Sequence, residues 1–183
     1  MLSYQDFKKG YLTEWVDRSQ AARKAAEELA NKEVGPSLRD RYKRDGIVFF
    51  LNGHNVEFKS ENERRKDGTC FFTWNEAMKR FGEPDADGWR LPTMEELDEL
   101  CEIPYDFDIQ KGLGVFDKSL SLPAMGYLNE YNAILQIGTH GRYWTSTSEL
   151  RYAITFEFSK DCCLTCGVTK KNRETVRLVR DVK

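Results

Sequence analysis

The spacing of apolar and polar positions changes character along this chain, and each change predicts a different element. Residues 1–45 follow a helical period. Tyr4, Phe7, Tyr11 and Trp15 recur every three to four residues, and Ala22, Ala25, Ala26 and Leu29 form a second, narrower stripe. Ser19 is placed to cap that second helix and Gly35-Pro36 to stop it. From Gly46 the pattern turns β-like. Gly46-Ile47-Val48-Phe49-Phe50-Leu51 is an apolar run closed by the turn letters Asn52-Gly53, with Asn55 to Lys59 as its hairpin partner. Residues 60–69 are charged, with Asp67-Gly68 as a turn.

Two short helices follow, each marked by an N-cap threonine with a glutamate three residues on. Thr73 with Glu76, and Thr93 with Glu96, have the spacing at which each side chain satisfies the other's free backbone N–H. The first helix runs from Thr73 to Phe81. The second follows Gly88-Trp89-Arg90-Leu91-Pro92, a strand end that carries a large aromatic and is stopped by proline, and it puts Leu97 and Leu100 on one face. Residues 103–123 show no clear period and predict an irregular loop. The final third is β-like. Arg142–Thr147 is one strand. In the next, Tyr152, Ile154, Phe156 and Phe158 alternate with Ala153, Thr155 and Glu157, which predicts a half-buried strand; Leu164–Thr169 and Thr175–Val182 complete the set. The fold class is α+β: a helical arm over residues 1–45, then a domain over 46–183 with two short helices and a twisted antiparallel sheet.

Composition narrows the function. With 183 residues, 40% hydrophobic and 13% aromatic, the chain can bury about 70% of its unfolded surface. The net charge of −2 leaves no basic excess of the kind a nucleic-acid binder shows. The arm carries 10 Lys and Arg against 8 Asp and Glu, and the remainder 18 against 22. No apolar run approaches the roughly 20 residues of a spanning helix, so membrane insertion is not expected. Met1 to Gly10 reads as a start without a secretion signal, because it lacks an apolar core and a small-residue cleavage site. The expected location is the cytoplasm or an assembled particle. The five cysteines, Cys70, Cys101, Cys162, Cys163 and Cys166, are then reduced thiols.

Six motifs occur in order: Gly46-Ile47-Val48-Phe49-Phe50, Trp74-Asn75-Glu76-Ala77, Gly88-Trp89-Arg90-Leu91-Pro92-Thr93, Pro123-Ala124-Met125-Gly126-Tyr127, Tyr143-Trp144-Thr145-Ser146-Thr147 and Val176-Arg177-Leu178-Val179-Arg180-Asp181. In this order they resemble the bacterial major paralogous domain of Fibrobacter succinogenes type, over residues 46–181. The resemblance implies a C-type-lectin-like fold whose members mostly bind ligands. Many relatives have a cysteine where Leu178 stands, so a disulfide at that place is not implied for this chain. Carriage by a phage or mobile element, as a structural or host-recognition subunit, is an alternative reading by analogy. The resemblance does not cover the arm, which is expected to be particular to this protein or a narrow subgroup and to support homo-oligomerisation.

Several candidate chemistries give way to plainer readings. Trp74-Asn75-Glu76 and Glu83-Pro84-Asp85 look like lectin calcium motifs in reversed order, but read as a cap and a turn. Asp106, Asp108 and Asp117 lack ligand periodicity. Cys163 and Cys166 lie in a β-like run that turns them to opposite sides, so neither a zinc site nor a thioredoxin-like pair is assigned. The Arg-Leu-Pro-Thr corner also resembles the formylglycine-generating enzymes, whose later Arg-Gly-Gly-Ser-Trp-like segment does not occur here. His54 and His140 read as solvated loop residues without a nucleophile partner. Arg90, Arg177 and Arg180 read as partners of acids such as Glu96 or Asp181.

A Tyr- and Asn-rich stretch remains. Tyr127, Asn129, Glu130, Tyr131, Asn132, His140, Arg142 and Tyr143 are the candidate ligand-binding residues; the plainer reading packs Tyr127 and Trp144 into the core and leaves the Asn residues to turn the chain. Tyrosine supplies rigid amphipathic area and asparagine adaptable hydrogen bonds. The expected function is non-enzymatic recognition of a protein or glycan through the face built by residues 127–148. No metal and no cofactor are assigned.

Overall fold

The Asn52-Gly53 turn reverses the chain between β1 (Gly46–Leu51) and β2 (His54–Lys59), which pair antiparallel from Gly46↔Lys59 to Leu51↔His54. Both turn residues have positive φ, as a two-residue hairpin requires. The computed structural model describes residues 46–183. The chain divides into Met1–Asp45 and Gly46–Lys183, and the expected helical arm lies outside the described residues.

After β2 the chain reaches β3 (Phe72–Thr73) and α1 (Trp74–Phe81), then the tryptophan corner and α2 (Met94–Cys101). Both expected capping boxes are present, with Thr73 and Thr93 as N-caps. At the corner, Arg90 and Val179 exchange two backbone hydrogen bonds of 2.9 Å, and Asp85 accepts the Trp89 N–H at 2.9 Å. Asp85 thus turns the chain into the corner, as expected.

Residues 103–123 are not an irregular loop. β4 (Tyr105–Asp108), β5 (Leu113–Phe116) and β6 (Leu120–Pro123) form an antiparallel meander. Each strand has only four residues, so alternation runs too briefly to register as a period. It is nonetheless visible in Tyr105-Asp106-Phe107-Asp108 and in Leu120-Ser121-Leu122, whose leucines are buried.

The last third builds β7 (Tyr127–Leu128), β8 (Ile134–Leu135), β9 (His140–Glu149), β10 (Tyr152–Ser159), β11 (Cys163–Thr169), β12 (Arg173–Glu174) and β13 (Val179–Val182). Four antiparallel sheets result, ordered β1-β2-β13, β11-β10-β9, β3-β12-β7-β8 and β4-β5-β6. The described part is therefore mostly antiparallel sheet with two short helices. Two details differ from the sequence reading. The predicted strand Thr175–Val182 is divided: residues 174–179 are all buried, and Thr175 bonds β9 while Leu178 accepts from Lys59 at the end of β2. The chain there passes from one sheet to another. β10 is a central strand rather than a half-buried one. Ala153, Thr155 and Glu157 are buried with Phe156 and Phe158, and Tyr152 is the exposed residue.

Two cores result. One gathers Phe49, Leu51, Val56, Phe58, Phe116, Phe156 and Phe158 with Leu97 and Leu100 of α2. The other packs Phe72, Ala77, Trp89, Leu91, Trp144, Val176 and Leu178. The Trp144 indole N–H donates to the Phe72 carbonyl at 2.7 Å, and the Trp74 indole N–H to the Thr145 carbonyl at 3.0 Å. Both tryptophans therefore tie β9 to the α1 region. No helix among the described residues is long and apolar enough to cross a membrane.

Candidate functional site

β7 and β8 form a hairpin in which Tyr127 faces Leu135 and Leu128 faces Ile134. Asn129 makes its turn: the side-chain oxygen accepts the backbone N–H groups of Tyr131 and Ala133, each at 3.0 Å. Asn132 sits at φ 60°, a conformation asparagine tolerates. The hairpin is held closely at its base. Gly126 has φ 64°, and a Cβ there would lie 2.0 Å from the Leu135 carbonyl oxygen, so only glycine fits.

From this base every residue from Glu130 to Ile137 is exposed. Tyr131 is 80% exposed, and Ile134, Leu135 and Ile137 share the same segment. Glu130 reaches Lys171 at 3.5 Å, so the turn after β11 borders the hairpin tip. The sequence pointed to the tyrosine and asparagines here. It missed the three aliphatic residues, which read as core until their exposure is known.

Beneath the hairpin lies an ionic cluster. The Arg142 guanidinium sits 4.2 Å from the Tyr127 ring centroid and bonds Glu157 at 2.7 Å. Glu174, fully buried, is 4.0 Å from Arg142 and accepts the Thr155 hydroxyl. Its second oxygen has no hydrogen-bond partner, nor has Arg142 Nε. Arg142 is thus a largely covered support rather than an open contact. His140 opens β9 with Nε2 3.9 Å from Glu157, so it is a strand residue beside an acid, not a solvated loop histidine. Tyr143 requires a larger correction. It is 2% exposed, and its hydroxyl donates to the Pro123 carbonyl at 2.7 Å, so it belongs to the core and not to a contact surface. Strand alternation is the reason: Arg142 and Tyr143 are neighbours and point to opposite faces.

Burial pushes the Glu174 carboxyl up from 4.5 to about 7, opposed by the Thr155 hydroxyl and Arg142 and reinforced by Glu157. An acid whose folded pKa is raised binds its proton more tightly folded than unfolded. Stability therefore falls as pH rises from about 4.5 to about 7, by on the order of 3 kcal/mol. Glu174→Gln is expected to flatten that slope and to be at least as stable as the wild type at pH 8. Urea midpoints at pH 4.5 and pH 8 measure it; an unchanged slope contradicts the assignment.

A second cluster joins β2, α2 and β13. Arg90 bonds Glu96 and Asp181, each at 2.6 Å, and His54 Nε2 lies 3.1 Å from Glu96 and 3.3 Å from Asp181. His54 Nδ1 donates to the Asn52 carbonyl at 3.1 Å, which leaves Nε2 aimed at two carboxylates. That backbone bond, then the charge of Asp181 and the bond to Glu96, raise the imidazole above 6.5 against partial burial. The stability from its charge is full below the unfolded value and is lost as pH rises through the folded one. His54 is therefore an ion-pair member and not a solvated turn residue. His54, Glu96 and Asp181 have ligand atoms within 4.8 Å of one another, the spacing of a metal site. The Arg90 guanidinium already supplies a cation to both carboxylates, so the chemistry is that of a structural ion pair.

Arg180 pairs with buried Glu57 at 2.8 Å. Arg177 departs from expectation: it donates to Asn62 at 2.8 Å and to the Lys59 carbonyl at 2.7 Å. Cys163 faces Cys101 and Cys166 faces Glu157, on opposite sides of β11 as the spacing predicts. No protein-family model, no curated protein and no solved structure matches the chain.

Proposed function

We propose that this chain is a non-enzymatic binding or adhesion module of C-type-lectin-like fold, and that it recognises a protein or glycan through the face around residues 127–148. One observation carries the reading. An uninterrupted exposed segment, Glu130–Ile137, holds a tyrosine and three aliphatic side chains on a hairpin fixed at its base. Apolar side chains concentrated on one exposed element mark a contact surface more often than scattered ones do. Glu130 and Lys171 supply a charged rim. The aliphatic share favours a protein partner, while Tyr131 and Asn132 also suit the faces and hydroxyls of a sugar. Calcium has no part in the proposal.

The order of the elements supports the lectin-like reading. The motifs shared with the major paralogous domain fall on β1, α1, the tryptophan corner, the β6 end, β9 and β13. These elements carry the frame, and the segment between β7 and β9 projects from it.

Glycan and protein arrays probed with the wild type, Tyr131→Ala and Asn132→Gly test the proposal. Glycine keeps the positive φ at residue 132 and removes only the side chain. A central aromatic contact contributes about 2 kcal/mol or more, so Tyr131→Ala is expected to weaken each hit roughly thirtyfold. Unaltered binding of every hit by both variants would place the contact surface elsewhere.

A further inference from the structure

The geometry points to a redox site away from the binding face: Cys101 and Cys163 form a dithiol that closes to a disulfide by exchange with a small-molecule disulfide such as oxidised glutathione. The register of α2 against β11 places the two sulfurs together. Asp98 and Cys101 are one helical turn apart and share a face of α2. Cys163 and Thr165 share a face of β11. Thr165 Oγ1 donates to Asp98 at 2.5 Å, which fixes one face of α2 on one face of β11, and the same register sets Cys101 opposite Cys163, both packed against the first core. Both residues are half-buried at the margin of the first core.

The neighbouring thiols are directed elsewhere. Cys162 Sγ lies 3.3 Å from the Ser159 hydroxyl in the turn before β11, and Cys166 Sγ lies 3.8 Å from Glu157 on the other face. Either thiol can open the exchange, with the other resolving it, and the bridge formed is the same.

The exchange balances in two steps. When Cys101 opens it, its thiolate attacks one sulfur of the oxidant, whose S–S bond breaks and releases one thiolate, which takes the proton that Cys101 lost. Cys163 gives up its proton and attacks the Cys101 sulfur of the mixed disulfide, releasing the second small thiol with that proton. Two protein thiols are oxidised and one disulfide is reduced to two thiols. The bridge would clamp α2 to β11 and close a loop of the 61 residues between them, which includes the exposed hairpin. A loop of that length removes substantial entropy from the unfolded chain.

The test incubates the full chain with oxidised glutathione and maps non-reduced peptides by mass spectrometry, beside a thermal melt. Expected are loss of two hydrogens from the intact mass, one Cys101–Cys163 linked peptide, and a melting midpoint raised by on the order of 10 °C. Dithiothreitol should reverse all three. Cys163→Ala should stop at a Cys101–glutathione adduct, and Cys166→Ala should still close the bridge. A bridge that uses Cys162, a stable glutathione adduct in the wild type, or no oxidation at all would overturn the assignment.

Discussion

Glu96→Ala is expected to destabilise the domain by about 3–5 kcal/mol, because this side chain serves three elements at once. Its Oε2 accepts the Thr93 N–H at 2.8 Å and closes the capping box that starts α2. The same oxygen accepts Arg90 Nη1 at 3.0 Å, while Oε1 accepts Arg90 Nη2 at 2.6 Å and faces His54 at 3.1 Å. The carboxylate side chain is only 1% exposed. Removing it leaves a half-buried guanidinium with Asp181, itself largely exposed, as its remaining acid. A lost cap alone costs about 1 kcal/mol, so a loss confined to that range would mean that the ion pair contributes nothing. Glu96→Gln separates the contributions: it keeps an acceptor for the Thr93 N–H and removes the charge. Its loss should fall between those of alanine and the wild type in urea unfolding.

Trp144→Ala should cost about 3–5 kcal/mol, the range for removing a buried aromatic. Trp144 is fully enclosed in the second core, and its N–H satisfies the Phe72 carbonyl. Alanine leaves both a void and a buried acceptor without a donor. Trp144→Phe fills most of the void yet still orphans the carbonyl, and should cost about 1–3 kcal/mol. Equal losses for the two variants would assign the whole effect to the hydrogen bond. The ionic and aromatic ties hold different elements of one frame. Glu96 fixes the corner and α2 against β2 and β13, and Trp144 fixes β9, the strand that follows the exposed hairpin, against β3.

Much of this frame is legible in the letters because its signals are local. The two Thr-x-x-Glu caps, the Asn52-Gly53 hairpin and the alternation of β10 each need only a few neighbouring residues to define them. The opposed faces of Cys163 and Cys166 follow in the same way. The meander of β4 to β6 was hidden because its strands are only four residues long, and the turn from β5 to β6 places Asp117 and Lys118 at positive φ, where lysine is not a usual turn signal. The burial of Thr155, Glu157 and Glu174 was hidden for a different reason. Polar letters read as exposed, and only the fold brings Arg142 to the acids and Thr155 to Glu174.

The candidate face was half legible. Tyr131 and Asn132 stand out by type, but strand alternation removes Tyr143 into the core and turns Arg142 into a support beneath Tyr127. The exposed Ile134, Leu135 and Ile137 carry no sequence mark that separates them from core residues. Their meaning comes from Gly126 and Gly138, both at positive φ, which set the hairpin apart from the packed strands.

Amide hydrogen exchange of the free chain against its complex with the strongest array hit tests the central claim most directly. The account predicts new protection concentrated on residues 130–137, with the bordering turn at Lys171 following and the α2 face unchanged. Protection on α2 or the β1–β2 hairpin, with residues 130–137 exchanging as in the free chain, would contradict it.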